Sequence, residues 1–211
     1  MARAAETRRR TRIQEEKETL ILASALAVFA QNGFAGTTLD DIARLAGMSK
    51  PNLIYYFASK EEIYRAVLGR TLETWLEPLI ALDPSGEPLA EIRGYIRRKL
   101  EISRDRPQES RLFAGEILAG APLIRDALEA DLKNLVDEKV AVIRGWIADG
   151  KLADHDPYHL IFAIWATTQH YADFDVQVQS VLGKGIDEAS RYAGAERFME
   201  DVILGGLRPD S

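Results

Sequence analysis

The sequence predicts an all-α protein of about nine helices, with an N-terminal three-helix helix-turn-helix head on a C-terminal helical ligand-binding and dimerisation domain. Three observations carry this expectation. Apolar residues recur at helical spacing almost everywhere, as in Ile21, Ala25 and Val28 with Leu22 and Phe29 beside them. No run alternates apolar and polar residues in the manner of a half-buried strand. The breaks between periodic stretches carry helix stops and caps.

The elements follow in order. A first helix covers about 11–31 and stops at Asn32–Gly33. Thr38, with Asp41 three residues on, reads as a near capping box for a short helix ending at Gly47. Ser49 caps the next helix, about 50–56, with Pro51 in its first turn, where a missing N–H costs nothing. Ser59 caps a longer fourth helix, with Glu61 and Glu62 favouring its dipole. After the loop "LDPSGEPL", helical patterns cover about 88–105, 107–118, 122–149 and 157–177. "GKGID" precedes a last helix, about 187–205.

The chain has 211 residues, 46% of them hydrophobic, and no cysteine, so no disulfide frame and no thiolate metal site. Net charge is −6, but unevenly spread. Residues 1–60 hold 9 Lys/Arg against 6 Asp/Glu, whereas 61–211 hold 18 against 27. The basic opening is not followed by an apolar stretch of signal-peptide type, and contiguous apolar runs stop near eleven residues, short of the ~20 a membrane span needs. The expectation is a cytoplasmic protein without membrane contact.

The stretch "ARLAGMSKPNLIYYF", residues 43–57, places two short helices around a glycine turn. Neither would stand alone in water. Propped by the first helix they form a helix-turn-helix, whose second helix lies in the DNA major groove. The candidate DNA contacts are Thr38, Ser49, Lys50, Pro51, Asn52, Tyr55, Tyr56 and Lys60. Asn52 can pair with adenine, and Lys50 can reach guanine or phosphate. The tyrosine hydroxyls and Lys60 suit phosphate oxygens. Arginines 8, 9, 10 and 12, in a basic arm over 1–12, can reach a neighbouring groove. The competing reading makes Tyr55 and Tyr56 core aromatics and the lysines solvated charges.

In the C-terminal half, "IFAIWATTQHYADF" (161–174) sets Trp165, Gln169 and Asp173 four residues apart on one helix face. A buried Gln or Asp is costly unless satisfied, and a polar ligand would satisfy it. His170 and Tyr171 crowd the same turn, and Trp75 on the fourth helix can close the site. Indoles and an amide suit a small, flat, uncharged ring with adjacent N–H and C=O groups. The alternative is an ordinary core Trp165, with His170 and Asp173 paired to neighbours.

"TTLDDIARLAGMSKPNLIYYFASKEEIYRAVL" resembles the TetR family of transcription regulators, through Thr38, Ile42–Ala43, Ala46–Gly47, Ser49, Leu53, Tyr56–Phe57 and Lys60. Pro51 stands where Gly is common, and Ile54 where Tyr is common. The resemblance implies a dimer whose head, 1–58, binds an inverted-repeat DNA operator, and whose domain over 59–211 binds an effector and dimerises. "YIRRKLEISRDRPQESRLF", "LAGAP", "DLKNLVDEK", "TWLEPL" and "HLIFAIWATTQHYADF" further resemble the pyrimidine-utilisation regulators of that family. This implies uracil or thymine as effector, with Trp75, Trp165 and Gln169 as first contacts, then His170, Tyr171 and Asp173. Ala114 and Gly115 are small for that group and would enlarge a pocket they lined. A second reading is a repressor of an efflux or catabolic gene that senses a hydrophobic compound.

An enzyme is not expected. "ADHDPYH" places His155 and His159 at metal-like spacing, but Asp156 as N-cap and Pro157 at the first helical position read better as a helix start. There is no nucleophile motif and no phosphate-cradling glycine loop, and neither cofactor nor metal is implied. A purely structural adaptor leaves the basic head unexplained. The dimer seam is expected on the helices at 157–177 and 187–205, where Tyr192, Ala195, Met199 and Val202 recur at coiled-coil-like spacing.

Overall fold

The computed structural model describes the backbone of residues 2–183 and 185–209, and side chains from residue 12 onward outside those gaps. The side chains of arginines 8, 9 and 10 in the expected basic arm lie outside the described residues. Among the described residues there are ten helices and no strand. They are α1 (Ala2–Gly36), α2 (Leu39–Leu45), α3 (Lys50–Tyr56), α4 (Lys60–Ile80), α5 (Pro88–Asp105), α6 (Pro107–Leu118), α7 (125–148), α8 (Pro157–Asp173), α9 (Asp175–Leu182) and α10 (188–204). Two contain a π-helical turn: Leu128–Leu132 in α7 and Glu200–Leu204 in α10.

The sequence counted one helix fewer because it ran 157–177 as one. Phe174, at φ −114° and ψ 29°, leaves the helical region and divides α8 from α9. The stop expected at Asn32–Gly33 is a kink. Gly33 sits at φ 68°, a left-handed conformation that glycine adopts without a Cβ penalty, and helical turns resume to Gly36.

Two apolar cores share α4. The head core joins Ile21 and Phe29 of α1, Ile42 of α2, Leu53 of α3, and Ile63 and Leu68 of α4. The body core joins Leu79 of α4, Ile92 and Ile96 of α5, Val140 of α7, and Ile161 and Ile164 of α8. Leu112 of α6, with Ala121 and Ile124 beyond it, packs into the head core, so the body also grips the head from a second side. By length and composition, Arg12–Gly36 reaches the mean hydropathy of a membrane span, 1.4, which the expectation from contiguous runs had missed. In the fold, Ile21, Ala25 and Phe29 of that stretch are buried head core.

Tyr192, Ala195 and Met199 do not form a seam as expected. All three are buried in their own protomer's body core, Met199 with 3% exposure. The reason is that α10 is apolar on two sides. One faces α5, where Arg97 also pairs with Glu196 and Glu200, and the other leaves Phe198 (65% exposed) and Val202 outward.

Candidate DNA-reading face and effector site

The short helices of the head are held by their caps. The Thr38 hydroxyl accepts from the Asp41 amide at 3.2 Å, and the Asp41 carboxylate accepts from the Thr38 amide and hydroxyl. The Thr38 hydroxyl bond, with the Arg44 guanidinium nearby, holds the Asp41 carboxyl below its usual range. Ser49 accepts from the Asn52 amide, and Pro51 occupies the first turn of α3. Gly47, at φ 65°, makes the turn between the two helices.

Leu53 is the inward anchor of α3, fully buried, with Phe57 behind it. This leaves Lys50, Pro51, Asn52, Ile54 and Tyr55 on the solvent face, Tyr55 with 77% exposure. Tyr56 is half-buried and meets the Tyr55 ring edge-on at 5.2 Å. The Lys50 ammonium pairs with Asp40 at 2.8 Å, an exposed ion pair that DNA phosphates can replace at little cost. Lys60 is turned inward. Its ammonium donates to the carbonyls of Phe34 (2.8 Å) and Thr37 (2.9 Å) at the end of α1.

In the body, Trp75 of α4 is 3% exposed, and its indole N–H is buried without a hydrogen-bond partner among the described residues. Over its ring, 3.8 Å from the centroid, lies the ammonium of Lys99 from α5. Lys99 is 2% exposed, and burial pushes it down to about 7, while the charge of Asp173 pulls the other way. Asp173, from α8, accepts a hydrogen bond from the Ser110 hydroxyl of α6 at 2.5 Å. Burial raises its carboxyl, and that hydrogen bond opposes the rise. One turn before Lys99, the Tyr95 hydroxyl accepts from the Trp165 indole N–H at 2.5 Å. Four helices therefore converge on a polar cluster inside an apolar body.

Of the residues expected to line an effector site, Trp75 and Asp173 are tied to this cluster through Lys99, and Trp165 through Tyr95. Gln169 is half-buried, one turn from Trp165 and one from Asp173 on α8. Trp165 also borders a hollow of about 380 Å³ with Leu132, Tyr158 and Phe162. His170 is exposed and stacks on Phe174 at 5.0 Å. Tyr171 packs against Tyr192 of α10. Gly115 lines a separate cleft of about 1000 Å³ between α1 and α6, with Phe34 and Glu116.

Lys99, Tyr95 and Ser110 were not singled out in the sequence. The available signal was that Tyr95, Lys99 and Ser103 share the apolar face of α5 with Ile92 and Ile96. At the former metal-like spacing, Asp156 caps α8 through the amides of Tyr158 and His159, and His155 Nε2 lies 2.9 Å from the Gly206 carbonyl oxygen. Among the described residues no group of three potential ligands converges on a metal position.

Comparison with known proteins matches this arrangement along nearly the whole chain. Residues 21–67 match the family model of bacterial regulatory proteins of the tetR family, and residues 68–210 that of the YcdC-like protein C-terminal region. The HTH-type transcriptional regulator RutR of Escherichia coli K12 is 53% identical over 203 residues, covering 96% of each chain. The biofilm operon negative regulator IcaR of Staphylococcus aureus Newman is 46% identical over 132 residues, 56% of this chain and 68% of that protein. Among solved structures, SCO4942 of Streptomyces coelicolor superposes with a TM-score of 0.71 at 26% identity, covering 90% of this chain and 98% of that one. With a helix-turn-helix head on an all-helical body, and relatives that are regulators rather than enzymes, the chain belongs to the TetR family of DNA-binding transcription regulators.

Proposed function

We propose that this regulator senses a free pyrimidine base, uracil or thymine, and leaves an inverted-repeat operator when the base binds. The observation that carries the reading is the buried polar cluster at Trp75, Lys99 and Asp173, on helices that lie within the stretch shared with RutR. An isolated indole N–H in a core is costly, and a ring with carbonyl oxygens would satisfy it. A ring of about eight heavy atoms has a ceiling near −12 kcal/mol, so micromolar affinity, about −8 kcal/mol, is within reach.

In this reading residues 1–58 bind DNA and 59–211 bind effector and partner. Lys50 and Asn52 read bases, and Tyr55 and Tyr56 hold phosphates. The protein works in the cytoplasm as a homodimer, so that two heads meet half-sites about one helical turn apart. The seam lies on the outer faces of α8 and α10, where Phe162, Phe198 and Val202 are exposed apolar residues, with exposed Phe174 just past the end of α8. Ligand shifts occupancy only if it prefers the spacing of heads that DNA does not; a 100-fold preference is worth about 2.7 kcal/mol per site. α4 carries that signal, with Lys60 at its start and Trp75 about four turns on.

The test titrates uracil, thymine and a hydrophobic drug into a preformed operator complex, followed by fluorescence anisotropy. Release by either base at micromolar to millimolar concentration is expected. Release by the drug alone would replace the pyrimidine reading with that of a hydrophobic-compound sensor.

A further inference from the structure

We propose that Lys99 is the specificity-determining residue of the effector site, admitting flat rings that present a carbonyl or carboxylate oxygen to it and excluding rings that present an amine there. The inference rests on the effector-site reading above but assigns its selectivity to a residue outside the expected set. Two buried donors belong to one stacked pair in the body: the Lys99 ammonium over the Trp75 ring, and the unpartnered indole N–H at the edge of that ring. The ammonium lies over the face of the Trp75 ring, 3.8 Å from its centroid. The carboxylate whose charge acts on it, Asp173, is already engaged by Ser110.

In its charged form, which an oxygen-rich ligand edge favours, Lys99 donates three hydrogen bonds and accepts none, and an indole N–H only donates. A ligand edge rich in oxygen supplies both with acceptors. An amino group at the same edge sets donor against donor, in a place closed to the water that would otherwise relieve it. Gln169 cannot impose this choice alone, because its amide carries both a donor and an acceptor and can turn over to suit either edge. Sites that leave buried polar groups unpaired with the wrong ligand reject it far more strongly than apolar pockets do. Lys99 is 2% exposed, so the penalty is not screened.

The experiment is isothermal titration at pH 6, where Lys99 carries its charge, of the full-length protein and its Lys99→Met, Lys99→Gln and Gln169→Leu variants with uracil, cytosine and benzoate. Operator binding checks that each variant is folded. In the wild type, uracil should bind on the order of 100-fold more tightly than cytosine. Lys99→Met should bring the two bases within about tenfold. Lys99→Gln, which restores an acceptor, should favour cytosine relative to Lys99→Met, whereas Gln169→Leu should weaken both bases and keep their ratio. A ratio unchanged in folded Lys99→Met or Lys99→Gln overturns the assignment and leaves the pyrimidine reading intact. Benzoate binding that depends on Lys99, with neither base bound, upholds the assignment and defeats the pyrimidine reading. Binding of none of the three probes, or benzoate binding indifferent to Lys99, overturns it.

Discussion

The Lys60 ammonium donates to the Phe34 carbonyl at 2.8 Å and lies 4.4 Å above the ring of that same residue. With its second bond, to the Thr37 carbonyl, it ties the first residue of α4 to the end of α1 just past the Gly33 kink. Carbonyls at a helix end lack partners and carry the negative end of the dipole, so a cation fits there. A shift of α4 in the body would therefore pull on the end of α1 at the base of the helix-turn-helix.

Lys60→Met should therefore act as a coupling and stability change. Two charge-assisted hydrogen bonds are lost, at a cost of roughly 1.5–3 kcal/mol in urea unfolding. Operator affinity should fall alike on all sequences, with its salt dependence unchanged. A salt slope reduced by about one would show instead that the ammonium leaves α1 for a phosphate when DNA binds.

The contrast between Lys60 and Leu53 shows what the sequence could convey. Periodicity and caps are local, so the anchor Leu53, the Thr38–Asp41 box, the Ser49 and Ser59 caps and the Asp156 start were all legible. Direction is not local. A lysine at a helix start can face phosphate or a neighbouring helix end, and only the placement of α1 decides. Met199 was misread for the same reason: α10 is apolar on two sides, and spacing does not say which one meets α5. Lys99 was hidden because it follows two arginines, Arg97 and Arg98, that are exposed.

The face of α3 predicts a division of labour. Asn52→Ala should change sequence preference, by about 1–3 kcal/mol at one base pair, when affinities for operator and single-site variants are compared. Asp40→Asn frees Lys50 from its ion pair and should tighten binding to random DNA more than to operator. Equal loss on operator and random DNA for Asn52→Ala would remove it from the base-reading set.

Phe198 and Met199, neighbours in sequence, should respond in opposite ways to the same change. Phe198→Glu puts a charge on the exposed face of α10, and should yield folded monomers in sedimentation velocity that no longer hold the operator. Met199→Glu buries an unpaired carboxylate in the body core and should unfold the protein before it separates the protomers. Folded dimers of Phe198→Glu would place the seam on another face.

The last prediction uses Lys99 as a reporter of burial. Its ordinary value is 10.5, and burial lowers it to about 7 in the fold, the charge of Asp173 offsetting part of the drop. Between those values the unfolded chain holds a proton that the folded chain has lost. Stability of the wild type should therefore rise with pH across this window, by up to about 1.4 kcal/mol per unit, and the contribution is lost as pH falls toward the folded value. Below about 7 both states are protonated, and the penalty is constant. Lys99→Met removes the titration, so the variant should be more stable than wild type near pH 7, by a few kcal/mol, with an advantage that shrinks toward pH 10. Groups that titrate in the same range in both proteins, such as the tyrosines raised by burial, cancel in the difference. Urea unfolding of the pair at pH 6.5, 7.5, 8.5 and 9.5 reads this directly. A difference that stays flat across the series would mean that the ammonium finds water or a full set of acceptors in the folded protein, and that α5 does not bury it over Trp75.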